Sequence, residues 1–274
     1  MLCAKKQCNQ IDKERVMTTI KELYAYREMI FSLIRRDLQG RYKGSILGFF
    51  WTFLNPLLQL VVYTLVFSVI MKNNIEKYYL FLFVALVPWI FFSTSVSGGA
   101  NVIWSQQDLV KKIYFPRQVL PIAFVTSQFV NMLLSLAVVF AVLIISGTGI
   151  NVKALLYMPL VMGVEYMLCM GMAFLTSACT VYLRDLEYLL GIITMAWQFM
   201  TPIMYSVDMV PQELMPLFNL NPMTPIIIAY RDILYYKRTP RMSTLAHATI
   251  LGIILLLIGW CVFNKLQRHF AEEL

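Results

Sequence analysis

The 274-residue chain is 59% hydrophobic and only 14% charged, with a net charge of +8. A soluble domain carries about a quarter charged residues, so a water-soluble enzyme or nucleic-acid-binding module is excluded, and the basic excess is read as meeting membrane lipids. The five cysteines show no CxxC spacing and suggest neither a disulfide framework nor a zinc site.

Residues 1–20 read as a disordered polar leader. The first long apolar run begins only near Ile46, after a charged segment, which is unlike a secretory signal. Thr19-Ile20-Lys21-Glu22 has the pattern of a capping box that opens a helix. That helix, over 21–45, sets Ile30, Ile34 and Leu38 on one face beside Arg35, Arg36, Arg41 and Lys43. A basic amphipathic helix just before a span lies in the plane of the membrane surface.

Apolar runs long enough to cross a hydrocarbon core of about 30 Å follow near 46–71, 79–104, 119–146, 154–182, 188–206 and 243–264. The fold class expected is therefore all-α integral membrane, with six transmembrane helices in a domain over 46–265 and a tail at 266–274. Sixteen of the 23 Lys and Arg fall on the side of the termini, which predicts both termini in the cytosol. Residues 207–242 contain five prolines and apolar stretches too short to span. Non-helical backbone survives at membrane depth only when buried or facing water, so two short re-entrant helices on the outer side are expected there.

The loop after the second span carries Ser105-Gln106-Gln107-Asp108, a second capping-box pattern, and "LVKKIYF" continues it until Pro116. A two-turn helix results, with Leu109, Ile113 and Tyr114 available to dock and Lys111, Lys112 and Arg117 around them. It is either a tight turn holding inner positive charges or a lever that enters a partner's groove.

Polar residues inside the spans form stripes at about 100° per residue. Thr52, Asn55, Gln59 and Tyr63 share a face of the first span with Ser45 and Gly48. Phe124, Gln128, Asn131 and Ser135 do so on the third. Thr194, Gln198, Thr201 and Tyr205 share one on the fifth, with Trp197 alongside. Facing lipid, each would cost several kcal/mol, so the stripes either bind helix to helix or line a conduit. Trp89 and Trp197 lie too deep for interface anchoring and belong to core packing or a pore wall. Glu165 is the one carboxylate well inside a span, a place where such groups mark function.

Reactive groups are scarce. The two histidines, His247 and His269, form no metal-ligand motif, and Gly40 to Ser45 lacks the Gly-Lys-Ser/Thr order of a phosphate loop. A membrane glycosyl- or acyltransferase, a passive channel and a proton-coupled flippase are the rival classes.

The stretch "LIRRDLQGRYKGSILGFFWTFLNPLLQLVVYTLVFSVIM" closely resembles the opening of type-2 ABC exporter permeases, which move lipid-linked polysaccharides such as O-antigen, teichoic acid, capsule and rhamnan. "LVKKIYFPRQVLPI", "YLRDLEYLLGIITMAWQFMTPIMYS" and "NPMTPIIIAYRDIL" resemble later blocks in the same order, so the likeness runs from about residue 27 to 265. The resemblance implies a homodimer bound to two copies of a separate ATPase, in the bacterial cytoplasmic membrane. ATP and Mg would sit on that partner, and no cofactor on this chain. It implies that Ser105 to Tyr114 form a coupling helix, that Arg184, Asp185 and Glu187 make a second ATPase contact, and that Arg35 through Lys43 form the interface helix. It implies that the first and fifth spans line the channel and that 207–240 close its exit. Arg35, Arg36 and Arg41 would then meet the diphosphate of a polyprenyl-linked glycan. A drug or lipid exporter of the same superfamily is the alternative.

Overall fold

The computed structural model describes residues 21–40, 44–70 and 75–274, and every regular element in them is helical. The expectations for the leader, for Thr19 as a cap, and for Arg41 and Lys43 lie outside the described residues. Helix α1 (Arg27–Gly40) follows a helical turn at 21–25. Its Ile30, Ile34 and Leu38 are half-buried while Arg35 and Arg36 are exposed, the two-faced pattern that the spacing predicts. The Ser127 hydroxyl donates to the Asp37 carboxylate and so fastens α1 to α5.

The remaining helices are α2 (Trp51–Thr64), α3 (Tyr78–Asn101), α4 (Gln107–Lys112), α5 (Val119–Ile145), α6 (Val152–Leu155) and α7 (Met158–Tyr182). After them come α8 (Leu186–Phe199), α9 (Met215–Leu220), α10 (Met223–Leu234), α11 (Met242–Leu266) and α12 (Phe270–Glu273). Among the described residues, five segments are long and apolar enough to cross a membrane: Trp51–Ser68, Tyr78–Asn101, Val119–Ile145, Val152–Tyr182 and Met242–His269. Each matches a predicted span to within a few residues. The remaining expected span, 188–206, overlaps α8, which has 14 residues and a length of about 21 Å. It gives way to turns from Met200 onward.

Helix α3 is the centre of the fold. Its first half is uniformly apolar, Leu82 through Leu86 have no exposed surface, and α2, α5, α7, α8 and α10 all pack against it. Helices α2, α5 and α8 leave apolar outer faces exposed, as lipid or a second chain requires, whereas α10 is buried along almost its whole length. Asn151 caps α6 by accepting from the backbone N–H of Lys153 and of Ala154, 3.0 and 3.4 Å away, and its amide also donates to the carbonyl of Lys237.

Helices α7 and α11 approach most closely because glycines face each other. A Cβ placed on Gly259 would lie 2.1 Å from the carbonyl oxygen of Gly171, and one on Gly171 would lie 2.6 Å from the backbone of Leu255 and Leu256. Small residues that let helix backbones touch are the usual basis of helix association in lipid. Backbone cannot yield as a flexible side chain does, so Gly259→Val separates the helices. We expect it to lower stability by about 1–3 kcal/mol, the scale of overpacking, seen as an earlier thermal unfolding midpoint in detergent. A midpoint equal to that of the unsubstituted chain would refute the close packing.

Candidate transport path and coupling surface

The loop between α3 and α5 is built from a 3-10 turn, Trp104–Gln106, and the six-residue α4. The expected capping box does not form. The Ser105 hydroxyl donates to the Val102 carbonyl at 3.1 Å, and α4 begins after Gln106 with no side-chain cap. The reason is that Ser105 belongs to the preceding tight turn, whose own carbonyls are closer to its hydroxyl than any amide of α4. Ile113 then turns to extended backbone, so the helix ends before Pro116 is reached.

Buried residues anchor the loop: Val110 and Phe115 enter the core, Leu109 packs half-buried against it, and Trp104 Nε1 donates to the Thr180 carbonyl at 3.2 Å. Its outward face presents Lys111, Lys112 and Ile113, with Tyr114 95% exposed. Asp108 pairs with Lys112 at 3.5 Å in solvent, a contact of little energetic weight. Arg117 turns inward. It donates to the Gln267 carbonyl and lies 5.8 Å from the centre of the Phe270 ring, and burial pulls its guanidinium below its ordinary pKa.

The other predicted coupling residues converge on the same end. Arg184 stacks 4.8 Å over the Trp104 ring, Glu187 accepts from Asn101 at 3.0 Å, and Asp185 is exposed beside them. Arg36 of α1 donates to Gln106 at 2.8 Å. Helix α1, the loop and the start of α8 are thus one connected surface.

Along the spans, the polar stripes meet in part. Gln198 of α8 donates to the Tyr63 hydroxyl of α2 at 3.2 Å, which joins the two predicted stripes directly. Gln59 donates to Asn55 at 3.2 Å, and Asn55 is exposed. Thr52 is buried against α5, where Ser135 donates to its carbonyl at 3.5 Å. Thr194 is also buried, sharing a 3.2 Å hydrogen bond with Ser97 of α3.

Thr201 departs from the expected stripe, and Trp197 is tied to the same partner. Thr201 has no exposed surface and accepts from Asn221 at 2.9 Å, while Trp197 donates to the same Asn221 at 2.9 Å and packs edge-on against Phe92. Tyr205 donates to the Phe199 carbonyl at 2.7 Å. The helical spacing that placed Thr201 and Tyr205 on the Gln198 face assumed one helix to 206, but α8 ends at Phe199, so these two positions lose that register. Trp89, 3% exposed, is packed on Phe92.

Two adjoining clefts open along the stripes. One, of about 500 Å³, lies between α3, α5 and α8; a smaller one, of about 110 Å³, lies between α2, α3 and α5 and is lined by Thr52, Asn55, Asn131 and Ser135. Thr94 and Gln128 border both. The α3 residues Ser93, Thr94 and Ser97 escaped the sequence reading, although the run "STSVSGG" was a visible break in an otherwise apolar helix.

Arg231, in the proline-rich 207–242 segment, escaped it as well. It is 3% exposed. Its guanidinium donates to the carbonyls of Pro202 and Ile203 at 2.5 Å, of Tyr205 at 3.2 Å and of Phe81 at 3.4 Å, and it lies 3.5 Å from the centre of the Phe81 ring. These carbonyls belong mainly to the turns that follow α8, so α10 holds the broken end of α8 against α3. The next residue, Asp232, is buried and binds Arg238 at 2.7 Å. Glu165 of α7 has no exposed surface and accepts from Tyr230 at 2.7 Å, which links α7 to the same helix.

The profile of the ABC-2 type transporter family matches residues 28–235. The chain belongs to the ABC-2 type transporter family. Within it, the chain is 36% identical over 257 residues to the O-antigen export system permease protein RfbA of Myxococcus xanthus, covering 93% of this chain and 98% of that one. It is 29% identical over 247 residues to a protein of the same name from Klebsiella pneumoniae, covering 90% and 95%. It is 20% identical over 263 residues to the capsule polysaccharide export inner-membrane protein CtrC of Neisseria meningitidis, covering 93% and 97%. As an ABC-2 transporter chain it is a membrane-embedded transport component.

Proposed function

We propose that this chain is the transmembrane permease subunit of an ATP-driven exporter that moves a polyprenyl-diphosphate-linked polysaccharide, of O-antigen or teichoic-acid type, across the bacterial cytoplasmic membrane. The observation that carries the reading is full-length similarity to an O-antigen export permease in a chain whose spans carry polar stripes. A polyhydroxylated chain cannot cross hydrocarbon, because each unpaired hydroxyl costs a few kcal/mol. A wet corridor removes that penalty.

In this reading two copies of the chain enclose the corridor, with Thr52, Asn55, Gln59, Tyr63, Thr194, Trp197, Gln198, Thr201 and Tyr205 on or behind its wall. Helix α8 with residues 200–206 completes a sixth, fifth-in-order crossing, and α9 and α10 re-enter from the outer side. Both termini are cytosolic. Two ATPase subunits, carrying ATP and Mg, dock on Ile113, Tyr114 and the lysines beside them, and on Arg184 and Asp185. Arg35 and Arg36 stand at the membrane surface where a diphosphate arrives, supported by their exposure on α1.

Deletion of the gene tests this. Polymer should accumulate inside the cell and return to the surface on complementation, and an ATPase should co-purify with the chain and be stimulated by it. Normal surface polymer in the deletion strain, with a drug or lipid retained instead, would reassign the cargo.

A further inference from the structure

The larger cleft is not accounted for by a corridor walled by α2 and α8 alone, since two of its three sides are α3 and α5. Its volume of about 500 Å³ falls in the range of about 300–1,000 Å³ typical of small-ligand sites. The hydroxyls of Ser93, Thr94 and Ser97, the amides of Gln128 and Gln198 and the ring of Phe124 line it, and no lining residue carries a charge.

That lining selects a chemistry. A diphosphate calls for cations or a helix N-terminus, and the cleft offers neither. An acyl or isoprenoid chain would cover Trp89, Phe124 and Met195 but leave the amides and hydroxyls of the same lining unpaired. A sugar ring suits both parts, because its hydroxyls pair with amides and hydroxyl oxygens while its C–H face covers an aromatic ring. The hydroxyls of Ser93 and Thr94 donate to their own helix, at 3.2 Å and 2.6 Å to the Ile90 carbonyl. Their oxygens therefore face the cleft as acceptors. Phe124 rests directly on Gly98, where a Cβ would come within 2.6 Å of the ring.

The position matters too. On α3 the lining runs from Gly98, three residues before the helix end, to Trp89, twelve before it, and on α5 it reaches Gln128, nine after the helix start, so the cleft spans about 5–18 Å from the coupling-loop end of these helices at 1.5 Å per residue. Building on the transport reading above, we infer that this cleft is a subsite for one uncharged sugar ring of the polymer entering from the ATPase side. Gln128 and Gln198 meet its hydroxyls, and Phe124 covers its C–H face.

Gly191 allows a direct test, because a Cβ added there meets no atom within 4 Å and the cleft lies in front of it. Gly191→Phe fills the cleft, and polymer export falls roughly tenfold, equivalent to about 1.4 kcal/mol, while the level of the chain in the membrane and its bound ATPase hold. The same change at Gly163, which is also open and lies on α7 outside the cleft, leaves export intact. A second measurement does not depend on folding of the bulky variant. Ser93→Cys, in an exporting background with Cys3, Cys8, Cys169, Cys179 and Cys261 replaced, is labelled with a neutral maleimide in cells.

Labelling slows when polymer synthesis is switched on and is fast when cells hold only the lipid carrier. Equal labelling with and without polymer overturns the subsite. Protection by the lipid carrier alone assigns the cleft to lipid and overturns it as well. If the unsubstituted chain exports no glycan, the transport reading fails instead, and that outcome is distinct from export persisting in Gly191→Phe, which removes only the subsite.

Discussion

Arg231→Met unfolds at a markedly lower temperature than the unsubstituted chain and accumulates poorly in the membrane. Methionine keeps the aliphatic stem of the side chain and removes the guanidinium, and with it the contact on the Phe81 ring. What is lost is the set of bonds to the carbonyls of Phe81, Pro202, Ile203 and Tyr205. A hydrogen bond from a charged donor contributes about 1.5–3 kcal/mol, and a buried acceptor left without a donor costs a further about 1–3 kcal/mol. Because several of these carbonyls sit in the turns after α8, no neighbouring amide replaces the arginine. We expect a destabilisation of about 3–5 kcal/mol, the scale of breaking a buried charged network. Arg231→Lys keeps the charge but lacks the planar fork that reaches several carbonyls at once, and falls between the two. Thermal unfolding followed by tryptophan fluorescence checks this. An unshifted midpoint in Arg231→Met would show that the clamp holds nothing.

Lys111→Ala, Lys112→Ala and Tyr114→Ala together abolish at least about nine-tenths of polymer export, the scale of removing an aromatic hot spot and its flanking charges from an interface. The unfolding midpoint does not move. The two halves of this expectation come from opposite faces of one loop. Val110 and Phe115 hold it to the spans, whereas Tyr114 is 95% exposed and the two lysines are exposed. Removing the outer side chains therefore leaves the fold's own contacts in place. The Tyr114 ring stands in solvent beside two exposed lysines, and a partner that carries acidic and apolar groups gives these side chains a use. Export at the full rate, with an unchanged amount of ATPase retained on purification, would remove this loop from the coupling path. A lowered midpoint would place the three residues in the fold instead.

Helix positions were readable before any coordinates because hydrocarbon imposes a simple rule. About 20 apolar residues span it, and few charges are tolerated. Five runs obey the rule with little interruption, and their ends agree with the helices to within a few residues. The amphipathic face of α1 was equally legible, since Ile30, Ile34 and Leu38 recur at helical spacing. The run after residue 186 was legible only in part. It is apolar enough to resemble one long span, yet its helix stops at Phe199, and periodicity extended past that point assigned Thr201 to a face that does not exist. Capping by Ser105 failed for a related reason: the pattern pairs residues three apart in the helix that follows, while the hydroxyl bonds the Val102 carbonyl, three residues back in the preceding turn.

Composition and hydropathy by themselves determined that this is an all-helical membrane chain, roughly where its helices lie, and that it carries no recognisable nucleotide or metal motif. Those properties depend on local length, charge and spacing. Tertiary structure decided which polar groups face one another: Gln198 with Tyr63, Glu165 with Tyr230, and Arg231 with carbonyls from two separate segments. It also decided that Ser93, Thr94 and Ser97 border a cleft rather than fill a core. Partners far apart in the chain meet only when helices pack, and a buried polar group is satisfied by whichever partner packing brings within about 3 Å.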